Sequence, residues 1–83
     1  MVLFFLILIV GMKTQEDKEK LVQFGAKVRL LRQERGLTQF ELAAKCGLDR
    51  NYIGMFERGE RNPSYLSMLK IANGLDVNIK EML

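Results

Sequence analysis

Residues 39–58, QFELAAKCGLDRNYIGMFER, read as two short helices folded over a single glycine. Leu42, Cys46, Leu48, Ile53 and Phe56 are apolar at the spacings that face one another across such a turn. Ala43 is small where two helix axes have to come close. Gly47 follows four residues on, where the chain needs a left-handed residue, a conformation that glycine adopts without steric cost. Arg50, Asn51, Tyr52 and Met55 are then left on the outer face of the second helix.

Outward from this hairpin the remaining chain also reads as helix. Phe24, Val28 and Leu31 recur at i, i+4, i+7 with Lys27, Arg29, Arg32 and Arg35 between them, an amphipathic helix with a basic outer face that Gly36 stops. Thr38 opens T-Q-F-E, a capping box in which Glu41 reaches back to the Thr38 amide, so helix two covers about 39–46. Asp49 caps helix three, about 50–58, which Gly59 closes. The turn segment GERNPS holds the only proline, and Ser64 caps a fourth helix at about 65–74. Tyr65, Met68, Ile71, Ala72 and Leu75 are spaced for its buried face. Asn78 with Glu81 three residues later starts a fifth helix. No run alternates with the period of a strand, and no repeat of 20–50 residues appears. The expected fold is all-α, five helices with short connections.

Met1 to Val10, MVLFFLILIV, is unlike anything that follows. A membrane span needs about 20 such residues, and a secretory signal carries a positive start and a small-residue cleavage site. Neither pattern is present. The expectation is that residues 1–11 are upstream sequence and that translation begins at Met12, with 12–20 a polar lead-in and 21–83 the folded domain.

Composition narrows the chemistry. In 83 residues there is room for one small domain. The formal net charge of +3 is a mild basic bias, compatible with a polyanionic partner. With no histidine and one cysteine, a zinc cluster, a histidine-based catalytic dyad and a disulfide framework are all out of reach within one chain. Cys46 falls on the apolar stripe and reads as an inert buried thiol. No nucleophile–base pair or phosphate-binding loop is visible, so no enzyme, cofactor or metal is expected.

The helix–glycine–helix register is the helix-turn-helix pattern, whose second helix enters the major groove of DNA. Arg50 carries a planar donor fork that matches guanine O6 and N7. Asn51 suits adenine N6 and N7, or serves only as a helix-start residue. Tyr52 packs on a thymine methyl, bonds a phosphate or covers the core edge, and Met55 offers an apolar contact or fills space. Arg58 and Arg61 read as phosphate clamps that position without reading sequence.

With these residues in place, RLLRQERGLTQFELAAKCGLDRNYIGMFERGERNPS and LKIANGLDVNIKEML make about Phe24 to Leu83 resemble a lambda-repressor/Cro-type, or Xre-like, helix-turn-helix domain. Within that family, LDRNYIGMFERGERNPS is most similar to the controller proteins of restriction–modification systems. The resemblance implies a compact five-helix domain with base reading by Arg50, Asn51, Tyr52 and Met55. It implies backbone contacts from Thr38, Gln39, Arg58, Arg61, Asn62 and Ser64, and a buried ion pair between Arg32 and Glu57. Gly54 inside the recognition helix and Asp76, where the family usually has glycine, depart from the pattern.

One such domain reads only a few base pairs, so a dimer on half-sites about 34 Å apart is expected. Leu66, Leu69, Ile79 and Leu83 are the apolar candidates for its interface, or else ordinary core and surface residues. The expected partners are a pseudo-palindromic double-stranded DNA operator, a second copy of the chain and RNA polymerase. No membrane partner is expected, and the place of action is the cytoplasm, on the nucleoid. An antitoxin or prophage Cro-like repressor is the rival on the same scaffold, and a protein-interaction adaptor the rival from another class.

Overall fold

The structure, a computed structural model, describes the backbone of residues 2–83 and side chains from Glu16 onward. Five helices follow in chain order: α1, Val2–Glu34; α2, Gln39–Cys46; α3, Arg50–Glu57; α4, Tyr65–Leu75; and α5, Ile79–Met82. No strand occurs among the described residues. The proposed start at Met12 concerns residues whose side chains lie outside those described. Among the described residues, no helix is long and apolar enough to cross a membrane.

Local signals set the helix ends. The Thr38 hydroxyl accepts from the Glu41 amide at 3.0 Å, and the Thr38 amide donates to Glu41 Oε1 at 3.0 Å, a complete capping box. Donation from the Thr38 amide first, and the Thr38 side chain beside it second, hold the Glu41 carboxyl below the usual carboxylate range. Gly47 ends α2 in the left-handed conformation, φ 68°. The Asp49 carboxylate then accepts from the Asn51 amide at 2.7 Å and starts α3. Ser64 and Asn78 cap α4 and α5 in the same manner.

The core is one cluster. Val28 from α1, Leu42, Ala43 and Cys46 from α2, Ile53 and Phe56 from α3, Ile71, Ala72 and Leu75 from α4, and Met82 from α5 are all buried together. Phe24 meets Phe56 edge-on at 5.2 Å between ring centroids, tying α1 to the recognition hairpin. α2 packs against both α3 and α4, so the hairpin is clamped from behind. Burial also pushes the Cys46 thiol up, which keeps it protonated.

One expectation is corrected. Tyr65 is 64% exposed, because it occupies the first position of α4, ahead of the stripe Ile71–Ala72–Leu75 that enters the core. Arg32, expected in a pair with Glu57, is buried and does not join the other basic residues of α1 on the outer face. Ile79, a candidate for the interface or for the core, packs against the core of its own chain.

Candidate nucleic-acid interface

The inner face of α3 is anchored by Ile53 and Phe56, which turns the opposite face outward. Arg50 and Asn51 are exposed there, and Met55 is half-buried beside them. Together with Gln39, Gly54 and Arg58 they line one open concavity of about 480 Å³. The structure therefore brings three of the four candidate base readers to one surface, along with one residue from α2 and one from the end of α3.

Tyr52 lies apart from them. Its ring is half-buried, stacks on Phe56 at 6.4 Å and carries the Arg61 guanidinium 5.5 Å above its centroid. It closes the core edge and seats Arg61 in the loop after α3. Asn62, exposed in the loop after α3, lines a groove with Leu21 and Phe24 of α1 and Met68 of α4. Ser64 is engaged as the α4 cap, its hydroxyl accepting from the Ser67 amide at 3.1 Å.

Behind the reading face lies a charged brace. Arg32 donates from Nε to Glu57 Oε2 at 2.7 Å and from Nη2 to Glu57 Oε1 at 3.0 Å. Its Nη1 donates to the Leu37 carbonyl at 2.7 Å. Gln39 Nε2 adds a third donor to the Glu57 carboxylate, 3.2 Å from Oε1. Both charges are buried, so a forked, fully satisfied geometry is what makes the pair tolerable. The brace connects α1, the α1–α2 turn, the start of α2 and the end of α3, and so fixes how far α3 projects. It also leaves one Gln39 amide hydrogen free beside the concavity.

Two features were not read from the sequence. Arg58 Nε donates to Glu60 Oε2 at 3.1 Å on the surface, with Nη2 in ion-pair contact with the same oxygen at 3.0 Å. The bond lowers the Glu60 carboxyl and raises the Arg58 guanidinium, so both stay charged at neutral pH. The spacing R-x-E offered a signal, because a side chain at a helix end reaches a residue two positions into the following turn. The second is what covers Gly54, a residue noted in the sequence: it is buried beneath Gln39 and Arg58. Asp76 keeps the left-handed turn of the usual glycine, with φ 57°, and is strained without a change in shape.

Among the described residues, no group of His, Cys, Asp and Glu could hold a metal ion. Comparison with known proteins points the same way as the geometry. The family described as Helix-turn-helix matches residues 28–82. The control protein C.BamHI of Bacillus amyloliquefaciens is 43% identical over 61 residues, which are 72% of this chain and 75% of that protein. The control protein C.MunI of a Mycoplasma species is 39% identical over 62 residues, 74% of this chain and 84% of that one. Among solved structures, the restriction–modification controller protein C.AhdI from Aeromonas hydrophila superposes with a TM-score of 0.78 at 46% identity, covering 78% of this chain and 98% of that one.

Proposed function

The chain belongs to the helix-turn-helix family, and we propose that it works as a dimer on a two-fold-related operator, as the controller of a restriction–modification operon. It is a DNA-binding transcriptional regulator. The observation that carries the fuller reading is the single outward surface formed by Arg50, Asn51, Met55, Gln39 and Arg58, backed by the buried Arg32–Glu57 pair.

In this reading α3 lies in the major groove. Arg50 presents its fork to guanine O6 and N7, Asn51 its amide to adenine, and Met55 an apolar contact to a thymine methyl. Tyr52 reaches the groove edge while supporting Arg61. Thr38, the free amide hydrogen of Gln39, Arg61, Asn62 and Ser64 meet the sugar-phosphate backbone and set the register. Leu66 and Leu83 are 67% and 77% exposed, and Tyr65, next to Leu66 in sequence, is exposed as well. With half-buried Leu69 they supply an apolar patch on α4 and the chain end, the surface on which a second copy is seated. The restriction–modification assignment rests on the likeness to the controller proteins named above.

Footprinting on the DNA upstream of the chain's own gene tests this. Two protected half-sites about 34 Å apart are expected, with affinity falling steeply as salt rises. Arg50→Ala should lose about 1–3 kcal/mol of discrimination at one base pair per half-site. Binding to no duplex, or binding indifferent to salt, would reject the reading in favour of a protein-interaction module.

A further inference from the structure

We infer that Arg58 is a second base-reading residue, aimed into the major groove because Gly54 leaves room for its guanidinium across the middle of the recognition helix. This rests on α3 being the element that enters DNA, as proposed above, and it moves Arg58 out of the backbone contacts where sequence alone puts it.

Position comes first. Arg58 sits at the end of α3, four residues beyond Gly54 and eight beyond Arg50, on the same helical face. Helical side chains lean toward the turn N-terminal to their own Cα, so an arginine here folds back along the reading face. Any residue larger than glycine at 54 would occupy that path. A Cβ built on Gly54 comes within 3.2 Å of Arg58 Nη1 and 3.4 Å of Gln39 Oε1. Gln39 yields little, because its Nε2 is bonded to Glu57, which Arg32 holds in turn. Arg58 is the side chain that would have to move. A phosphate clamp at the end of a helix has no need of this arrangement, since it would extend away from the groove.

The donors fit as well. Arg58 has two edges from which paired N–H groups emerge. Glu60 occupies the side edge, accepting from Nε and lying 3.0 Å from Nη2 as an ion pair. The end edge, made by Nη1 and the second Nη2 hydrogen, is free, and Nη1 lies over Gly54 in the concavity that Arg50, Asn51 and Met55 also line. A guanidinium held on one edge and open on the other is a pre-aimed fork for guanine O6 and N7. Glu60, which holds the side edge of the arginine, acts as its positioning residue.

The test is enrichment of a randomised duplex library by the full chain and by Arg58→Ala, Arg58→Lys, Glu60→Ala and Gly54→Ala, with thermal unfolding run on each. The affinity of each for a random duplex is measured alongside. Wild type should enrich two arginine-dependent guanine positions per half-site. Arg58→Ala should lose one of them by tenfold or more, on the order of one bidentate pair. Arg58→Lys keeps the charge but not the fork, so it should lose the same preference while random-duplex affinity stays within about threefold. Glu60→Ala and Gly54→Ala, both folded, should blur that position and no other. The inference is overturned if Arg58→Lys restores the wild-type preference, or if Arg58→Ala weakens enriched and random duplexes by one factor. Failure of the wild type to enrich any sequence would instead remove the DNA-reading role of α3 itself.

Discussion

The hairpin α2–α3 and the hairpin α4–α5 have the same joint. After α2, Gly47 is left-handed, its amide bonds to the Ala44 carbonyl at 3.4 Å, and the Leu48 amide bonds to the Ala43 carbonyl at 2.9 Å. After α4, Asp76 is left-handed, its amide bonds to the Asn73 carbonyl at 3.1 Å, and the Val77 amide bonds to the Ala72 carbonyl at 3.0 Å. Leu48 and Val77 both tuck against the core, and Asp49 and Asn78 then cap the next helix. Buried residues hold matching places: Leu42 with Ile71, Ala43 with Ala72, Cys46 with Leu75, Ile53 with Met82. Yet only the first hairpin carries a reading face. The difference lies after the turn: α3 has eight residues and a charged brace, while α5 has four residues and only apolar packing. A left-handed turn orients a helix, and what projects from the helix gives it a function.

Removing the brace should therefore separate the two hairpins most sharply. Glu57→Ala strands the Arg32 guanidinium in the interior and frees Gln39. Loss of one partner of a buried pair costs about 3–5 kcal/mol. Chemical denaturation should show that loss, and the double variant Arg32→Met with Glu57→Leu should recover most of it. Equal stability of the single and double variants would show that the buried charge is not the cause.

The two hairpins meet where Gly74 of α4 lies against α2. A Cβ there would overlap the Cys46 sulfur and stand 3.3 Å from Leu42 Cδ1. Gly74→Ala gains helix propensity but overpacks the contact, and a net loss of about 1–3 kcal/mol is expected. Cys46→Ala in the same chain should relieve part of it, a coupling that a double-mutant cycle measures. Additivity of the two changes would mean that the helices part elsewhere.

Gly74 also marks the boundary of what is legible in the residues. Helix ends at Thr38, Gly47, Asp49 and Ser64 were readable because each cap is made within three or four residues of itself. The apolar stripe of α2 and α3 was readable because the helical period is local. The roles of Gly74 and Gly54 were not, because each depends on a side chain that another turn or another helix brings over it. Tyr65 fitted the periodicity of α4, but the periodicity does not say at which turn the neighbouring helix begins. The likeness of the two hairpins was hidden for a similar reason. Their matching places share apolar character and backbone angles, with hardly any residue identities.

A smaller effect compares the caps. Asp49→Ala removes the acceptor of the Asn51 amide and should cost about 1 kcal/mol. The same helix start lies directly before Arg50, so the loss should also appear as weaker discrimination at the Arg50 base pair. Asn78→Ala removes the equivalent bond from a helix of a single turn. A loss no larger than that of Asp49→Ala is expected, with DNA discrimination unchanged. Thermal unfolding and duplex binding on the two variants provide the comparison, and an effect of Asn78→Ala on base preference would mean that α5 is coupled to the reading face.

The smallest effect tests the turns themselves. Left-handed backbone costs a residue with a Cβ roughly 1–2 kcal/mol, and aspartate lies at the low end because its short side chain tolerates the region. Glycine avoids that cost but loses about 0.5–1 kcal/mol more in chain entropy on folding. For Asp76→Gly the two nearly cancel, and a gain of about 0.5 kcal/mol is expected. The reverse exchange, Gly47→Asp, meets nothing within 4 Å of its new Cβ. It should cost about 1 kcal/mol, purely from the backbone. If the joints are equivalent, the two changes have opposite sign and the double exchange returns nearly to the starting stability. If Asp76→Gly destabilises instead, the aspartate side chain makes a contribution at the second joint that glycine cannot replace, and the two turns share a shape for different reasons.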